Sequence, residues 1–280
     1  MKPENPTQWP ALGASQVDVV VVNQSFSSEA ASDWVADEQP IALSFNGISH
    51  AVMLATPADL EDFALGFAVT EGIVENAGHF YGSETVESCE GITVEIDIAA
   101  SCFAQLKEKR RNMTGRTGCG LCGTESLSQV VRALPALGTH EGKVPATAIN
   151  QALLQLREHQ TLQQVTGATH AAAWFDTKGA IQLIREDVGR HNALDKLIGA
   201  GLRGKRSDWQ QGMLVVTSRA SMEMVQKTVM AGFAILIAIS APTKMAIELA
   251  RAHNLCLIGF AKPDRWTIYS HAERIEGLSK

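Results

Sequence analysis

Two cysteines separated by two residues, Cys119 and Cys122, are the clearest candidates for chemistry in this sequence. They lie in the segment GRTGCGLCG, which has glycine at positions 115, 118, 120 and 123. Glycine at this density does not hold a regular helix or strand, so the segment is predicted to be a mobile loop. A flexible, solvated loop buries little, which argues against two cysteines that only pack in a core.

The residues before the pair favour a reactive thiolate. Five cations and one acid occupy residues 107–116: Lys107, Lys109, Arg110, Arg111 and Arg116, with Glu108. The local charge is therefore about +4, and nearby cations lower the pKa of a cysteine from about 8.5 toward neutrality. Because the thiolate is the nucleophilic form, the pattern indicates a sulfur that reacts and moves between partners on its loop.

Other interpretations of the pair remain open. Cys119 and Cys122 have the spacing of half a structural zinc site, for which Cys89, Cys102 or His140 would have to be recruited singly. A thioredoxin-like redox dithiol is also open, although that motif belongs at a strand-to-helix junction. GCGLCG also matches a dinucleotide fingerprint, but the preceding KEKRRNMTGRT is no strand, which argues against that interpretation. Cys89, Cys102 and Cys256 are interpreted as packing thiols.

The composition is that of a globular protein in a reducing compartment. The chain has 280 residues, of which 45% are hydrophobic and 19% charged, and its formal charge is −6. These values exclude a disordered chain, and the acidity argues against a non-specific nucleic-acid binder. Five cysteines are too few for a disulfide scaffold. The N-terminus MKPENPTQWPALGAS lacks the apolar core of a signal peptide, and no apolar run reaches the ~20 residues that span a bilayer, so we expect a cytoplasmic protein.

The first half is predicted to be a flexible tail (1–16) and a small mixed α/β unit (17–112). VDVVVV at 17–22 and the alternating ITVEIDI at 92–98 predict strands, and Asn46-Gly47 predicts a hairpin turn. Thr56 is predicted to cap a helix that has Pro57 at its first position. The buried face of that helix is predicted to hold Leu60, Phe63, Ala64 and Phe67. A glycine and cysteine loop (113–126) then separates this unit from the rest.

The second half (127–280) is predicted to be a larger α/β domain. A helix at 146–158 and a hairpin around 176–179 precede helices and strands that alternate up to a last strand at 266–270. This order implies right-handed parallel crossovers. Continuous apolar runs such as AILIAI are typical of strands that are covered on both faces.

Polar residues interrupt this pattern at the ends of strands. They form three clusters, which contain His170, then Asp187, Arg190 and His191, and then Ser218 and Arg219. The carboxyl ends of parallel strands hold ligands and helix N-termini bind anions, so the clusters suggest a phosphate-bearing ligand. Ordinary helix capping, with His170 as a core histidine, is the alternative.

The last segment, FAKPDRWTIYS, adds two cations at the end of the sheet. Lys262 and Arg265 flank Pro263-Asp264, which predicts a rigid turn between strands. Two cations there suit phosphates, whereas a solvated hairpin with no ligand is the alternative.

Motifs along most of the chain resemble the formate dehydrogenase accessory sulfurtransferase family, FdhD. They occur in order between about residues 40 and 270: NGISH, FALGF with TEGI, GRTGCGLCG, THAAAW, EDVGRHNALDK, SRASMEMVQK and FAKPDR. The resemblance implies that Cys119 accepts persulfide sulfur from a cysteine desulfurase and that Cys122 assists. The sulfur would pass to the molybdenum bis-guanine-dinucleotide cofactor before that cofactor enters formate dehydrogenase.

The resemblance also implies a binding site, a fold and an assembly. The family's cofactor-binding segment falls on Phe260, Ala261, Lys262, Pro263, Asp264 and Arg265. Its members are dimers, and guanosine diphosphate is a suitable mimic of the bound cofactor. The fold resembles that of cytidine deaminases, which implies a three-layer C-terminal domain beside the smaller N-terminal unit.

Two features set this chain apart from the proteins it resembles. Deaminases place zinc ligands at the junctions that here hold Asp187 to His191 and Ser218 to Met222. Because no cysteine lies at either junction, we expect neither a zinc deaminase nor an intrinsic metal. The family tail usually has Cys and Gly where this chain has Ala261 and Asp264. The charge of Asp264 opposes a phosphate. The remaining alternative is a zinc-binding or redox accessory chaperone for a metalloenzyme.

Overall fold

The computed structural model describes residues 13–114, 134, 135, 137, 143–205 and 208–278. In that part of the chain, no helix is long and apolar enough to cross a membrane. The helices are α1 (Leu60–Thr70), α2 (Ala100–Thr114), α3 (Ala146–Leu156), α4 (Thr161–Thr166), α5 (Arg190–Arg203), α6 (Met222–Met230) and α7 (Lys244–Ala252). Single 3-10 turns occupy Ala77–His79, Arg157–His159 and Ala272–Arg274.

The strands form two larger sheets and two small ones. In chain order they are β1 (Ala14–Val22), β2 (Ser28–Ala36), β3 (Gln39–Phe45), β4 (Ile48–Ala55), β5 (Phe80–Ser88), β6 (Gly91–Ile98), β7 (Val144–Pro145), β8 (His170–Phe175), β9 (Ile181–Asp187), β10 (Met213–Val216), β11 (Ile235–Ala238), β12 (Cys256–Lys262), β13 (Arg265–Ser270) and β14 (Ile275–Glu276). Strands β1 and β2 pair with each other, and so do β7 and β14.

The C-terminal domain is built on a six-stranded sheet of order β13-β12-β11-β10-β8-β9. Strands β10, β11 and β12 are mutually parallel, and the outer pairings are antiparallel. Every residue of β10 and β11 is buried, because α5, α6 and α7 cover one face of the sheet and α3 covers the other. The predicted α/β class and its three layers are therefore confirmed.

The N-terminal unit is a four-stranded sheet of order β4-β3-β6-β5 with α1 and α2. Strand β6 alternates as predicted, and its four aliphatic side chains, Ile92, Val94, Ile96 and Ile98, point into the core of this unit. The Asn46-Gly47 turn joins β3 to β4 as predicted, and both residues have the positive φ that such a turn requires. The hairpin of β1 and β2 lies apart from this sheet, where Trp34 packs with α4.

Helices α1 and α5 join the two units at a close crossing. A Cβ atom added at Gly66 would lie 1.7 Å from the carbonyl oxygen of Asp195, and one at Gly199 would lie 1.8 Å from that of Asp62. Only glycine lets two helix backbones approach this closely. On the same interface Asp62 pairs with Arg185 of β9, at 2.7 Å.

Several expectations about the first half were wrong in detail. Thr56 does not cap α1, which begins at Leu60 with Asp59 as its N-cap residue and no side-chain cap. Thr56 is instead buried at the interface between the two units, where its hydroxyl accepts a hydrogen bond from the backbone N–H of Val188 at 3.2 Å. Strand β1 begins at Ala14, inside the predicted tail, whose residues 1–12 lie outside the described residues. Cys89 is exposed, so it is not a packing thiol.

Candidate functional site

The three polar clusters and the C-terminal turn lie at one edge of the six-stranded sheet. Strand β8 runs antiparallel to β10, and the N–H of Thr217, which follows β10, donates to the carbonyl of Ala171, the residue after His170. His170 pairs with Asp187 at the end of β9. Since β10, β11 and β12 are parallel, their carboxyl ends and the residues after them meet at this same edge. Helices α5, α6 and α7 also begin here, each after a strand of the sheet.

A large open cleft lies at this edge, between the sheet and the α3–α4 segment. Its volume is about 1330 Å³, which is more than the roughly 300–1,000 Å³ of a typical small-molecule pocket. The sheet contributes His170, Thr217, Ile239, Ala261, Lys262 and Pro263 to its lining. The structure therefore brings His170 and three residues of the predicted binding turn to one cavity that is large enough for a composite ligand.

His170 is half-buried at the rim of the cleft. Burial lowers the pKa of His170 below its ordinary value, and the charges of Arg190 and His191 lower this pKa further, against an opposing effect of Asp187. The lowered pKa favours the neutral imidazole of His170, which can donate or accept a hydrogen bond toward a bound group.

Asp187 is fully buried, and both of its carboxylate oxygens contact protein groups. Its Oδ2 atom lies 2.6 Å from the Nζ of Lys196 and accepts the N–H of Thr56. Its Oδ1 atom accepts hydrogen bonds from the backbone N–H of Gly189, at 2.7 Å, and from the side-chain amide of Asn192. Through these contacts the carboxylate ties the N-terminal unit to the turn before α5, and the ligand role expected from the sequence stays a prediction.

Arg190 and His191 open α5 on the helix side of the same edge. The Nε atom of Arg190 is buried and meets no acceptor in the described part of the chain. His191 lies 2.8 Å from a carboxylate oxygen of Glu223 in α6, and this contact lowers the pKa of Glu223. Neither Arg190 nor His191 lines the cleft.

Ser218 and Arg219 form the loop between β10 and α6, and they too lie off the cleft. The hydroxyl of Ser218 is buried and donates a hydrogen bond to the carbonyl of Arg219, whose side chain is exposed. Ser221, the last residue of the loop, caps α6 by accepting the N–H of Met224. Helix capping, the alternative considered from the sequence, therefore accounts for Ser221.

The predicted binding turn joins β12 to β13. Phe260 has a φ of 50°, unusual for an aromatic residue, and the residue is 53% exposed. Its backbone N–H donates to the carbonyl of Ser240, which fixes this bulge beside β11. Ala261 points into the domain, whereas Lys262, Pro263, Asp264 and Arg265 are exposed around the tight turn that the sequence predicted.

The remaining wall of the cleft was not expected from the sequence. It comes from α3, the 3-10 turn and α4, and its polar members are Arg157, Glu158, Gln160, Gln163 and Gln164. Glu186 holds this wall in place, because its carboxylate accepts the N–H groups of Leu162 and Gln163 at 2.8 Å each and so caps α4. A single helix end at 157–164 carries no sequence signal that would mark it as part of a site.

The cysteine pair lies outside the described residues. Helix α2 runs to Thr114, so residues 107–114, the described part of the basic stretch before the pair, are helical rather than a strand. Among the described residues, no group of three or more His, Cys, Asp or Glu side chains is placed to hold a metal ion. Cys102 and Cys256 are buried as predicted, and burial raises the pKa of the Cys256 thiol to about 12.

Comparison with known proteins identifies the family. The sequence profile of the FdhD/NarQ family matches residues 36–276. The chain is 54% identical to the "Sulfur carrier protein FdhD" of Bordetella petrii, over 87% of each chain, and 55% identical to that of Variovorax paradoxus, over 88% of each chain. A crystal structure described as that of a formate dehydrogenase accessory protein from Desulfotalea psychrophila superposes with a TM-score of 0.72. The match covers 94% of this chain and 99% of that protein at 22% identity, and it supports the fold. The chain belongs to the FdhD/NarQ family.

Proposed function

We propose that this protein is a sulfur carrier for formate dehydrogenase. Cys119 accepts persulfide sulfur from a cysteine desulfurase, and the protein passes this sulfur to the molybdenum bis-guanine-dinucleotide cofactor before formate dehydrogenase receives it. The cofactor is a bound substrate of the protein and not a resident group. The protein works as a cytoplasmic homodimer and binds neither nucleic acid nor a membrane.

One observation carries the binding half of this proposal. The cleft gathers His170 and the Ala261–Pro263 segment at the carboxyl edge of the sheet. Such an edge is where α/β sheets bind nucleotides. The cleft volume exceeds that of an ordinary small-molecule pocket, as a ligand built from two guanine dinucleotides requires. Phe260, Asp264 and Arg265 of the same turn are exposed but do not line the cleft.

The sulfur half of the proposal follows from thiol chemistry. The thiolate of Cys119 attacks the terminal sulfur of the desulfurase persulfide. The donor S–S bond breaks, a new S–S bond forms on Cys119, and the desulfurase cysteine leaves as a thiolate. Delivery of sulfide from Cys119 then needs two electrons. Cys122 supplies them when its thiolate attacks the Cys119 sulfur, which releases hydrosulfide and leaves a disulfide that a cellular thiol reduces.

The described structure contains two thiols that are unfit for this task. The Cys256 thiol stays protonated because of its raised pKa, and Cys102 is buried in the N-terminal core. Sulfur offered by a desulfurase would therefore be directed to accessible cysteines, and among these the basic stretch of residues 107–116 favours the thiolate of Cys119.

Formate dehydrogenase maturation tests the proposal as a whole. The chain is expressed with formate dehydrogenase in a bacterial host whose own sulfur carrier gene is deleted. We expect the wild type and Cys256→Ala to restore formate oxidation, and Cys119→Ala to leave the enzyme inactive. Full activity with Cys119→Ala would refute the assigned sulfur route.

Thermal unfolding with guanosine diphosphate tests the binding half separately. A ligand that binds only the folded state raises the melting temperature by mass action. We expect millimolar guanosine diphosphate to raise it, and adenosine diphosphate to raise it less. An unchanged melting temperature with guanosine diphosphate would contradict nucleotide binding in the cleft.

A further inference from the structure

We infer that Arg157 is a phosphate-binding residue, which with Lys262 forms a two-cation clamp for the diphosphate of the bound guanine nucleotide. This inference rests on the proposed function and goes beyond it, since it assigns a role to a wall of the cleft that lies more than 100 residues before the predicted binding turn. The clamp would hold the phosphate chain and would not contact the base.

The two cations reach the cleft from separate elements. Arg157 opens the 3-10 turn that follows α3, and Lys262 ends β12. Both residues line the same cleft, one on the helical wall and the other on the sheet edge. Arg157 and Lys262 can therefore contact one flexible diphosphate from both walls at once, whereas a single cation would contact it from one wall only.

The charges of both residues are available to a ligand. Both side chains are exposed, and within the described part of the chain neither forms an ion pair with a carboxylate. Arg203, by contrast, pairs with Glu61 at 2.7 Å. Two unneutralised cations at one cleft, in a protein of formal charge −6, favour an anionic ligand there.

The turn that carries Arg157 is held in place by the protein. The side-chain amide of Gln164 donates hydrogen bonds to the carbonyls of Arg157, at 2.7 Å, and Glu158, at 3.1 Å. His159 contacts the carbonyl of Gln155 at 3.0 Å and closes the same turn. Because the backbone is fixed, a ligand that engages the guanidinium orders only a side chain, which reduces the entropic cost of binding.

Two carboxylates oppose the clamp and make its electrostatics testable. Glu158 lines the cleft next to Arg157, and Asp264 follows Lys262 by two residues in the exposed turn. Each carboxylate repels a phosphate. Neutralising Glu158 must therefore change the affinity for a nucleotide in the opposite direction from neutralising Arg157.

Titration of the full chain with a fluorescent guanosine diphosphate, and its displacement by unlabelled guanosine diphosphate or guanosine, tests the clamp. We expect Arg157→Gln to weaken guanosine diphosphate by about tenfold or more, as for loss of a charge-assisted hydrogen bond, and to leave guanosine unchanged. Glu158→Gln should tighten the diphosphate, and Gln164→Ala should weaken the diphosphate but not guanosine. Lys178→Gln, an exposed lysine in the β8–β9 turn, is the matched control and should bind like the wild type.

The outcomes separate the clamp from the proposed function. Arg157→Gln binding the diphosphate within about twofold of wild type, or losing guanosine by the same factor, would overturn the clamp while the site itself stands. Failure of the wild type to bind the diphosphate would overturn the nucleotide site, and the clamp with it. Since Arg157 and Glu158 are both exposed, neither substitution removes a core contact.

Discussion

Replacement of Lys196 by methionine tests the connection between the two halves of the molecule. The Nζ of Lys196 lies 2.6 Å from Asp187 and donates a hydrogen bond to the carbonyl of Thr56 at 2.8 Å. The side chains of Lys196 and Asp187 are both fully buried. Methionine fills similar space but leaves the Asp187 carboxylate without its countercharge.

The expected loss of stability is large. Breaking a buried ion pair by removing one partner costs about 3–5 kcal/mol, because the other charge stays buried without compensation. Some of that cost should return in the Asp187→Asn, Lys196→Met double variant, since the isolated charge is then gone. Lys178→Met, at an exposed position, is the matched control and should change the free energy of unfolding by less than about 0.5 kcal/mol.

Urea denaturation followed by both far-UV circular dichroism and tryptophan fluorescence measures this effect. Coincident transitions with the two probes would justify a two-state free energy of unfolding. A loss below about 1 kcal/mol for Lys196→Met, or a double variant no more stable than the single one, would refute the argument that Asp187 and Lys196 are a buried pair on which the interface depends.

Three further predictions follow from the packing and the titrating groups. Gly66→Ala and Gly199→Ala should each destabilise the chain by about 1–3 kcal/mol in urea denaturation, despite the better helix propensity of alanine, because the α1–α5 crossing must open; unchanged stability would contradict that crossing. Iodoacetamide at pH 8 should label Cys89 in the native protein and spare Cys256 until the chain unfolds, and rapid native labelling of Cys256 would contradict its raised pKa. In an NMR titration the pKa of His170 should lie below the 6.5 of a model histidine, and a value at or above 6.5 would refute this. Because folding disfavours the protonated imidazole, the stability that neutral His170 contributes is present above pH 6.5 and is lost as the pH falls below it.

The elements with strong periodicity could be predicted from the sequence. The alternation in ITVEIDI predicts a strand with one solvent-exposed face, and β6 confirms it. The continuous run AILIAI predicts a strand covered on both faces, and β11 confirms it. The convergence of the polar clusters also follows, because parallel strands present their carboxyl ends at one edge. His170 and the turn after β12 line one cleft at this edge, and their role in ligand binding stays a prediction.

What could not be predicted depends on contacts between distant segments. Thr56 has the residue type and the following proline of a helix cap, yet its backbone and hydroxyl are used at the interface with Val188 and Lys196. The position of Asp187 at the end of a strand gives no sign that its side chain is fully buried at that interface, where it contacts Lys196. Arg157 has no motif around it, because its position depends on how α3 and α4 pack beside the sheet.

The mass of the intact protein after sulfur loading tests whether Cys119 carries the transferred sulfur. The chain is incubated with a cysteine desulfurase and cysteine, and the added mass is mapped to a residue by proteolysis and tandem mass spectrometry. We expect a gain of one sulfur atom on Cys119 in the wild type and in Cys256→Ala, with no gain in Cys119→Ala. Equal sulfur uptake by Cys119→Ala, or sulfur mapped to Cys89, would contradict it.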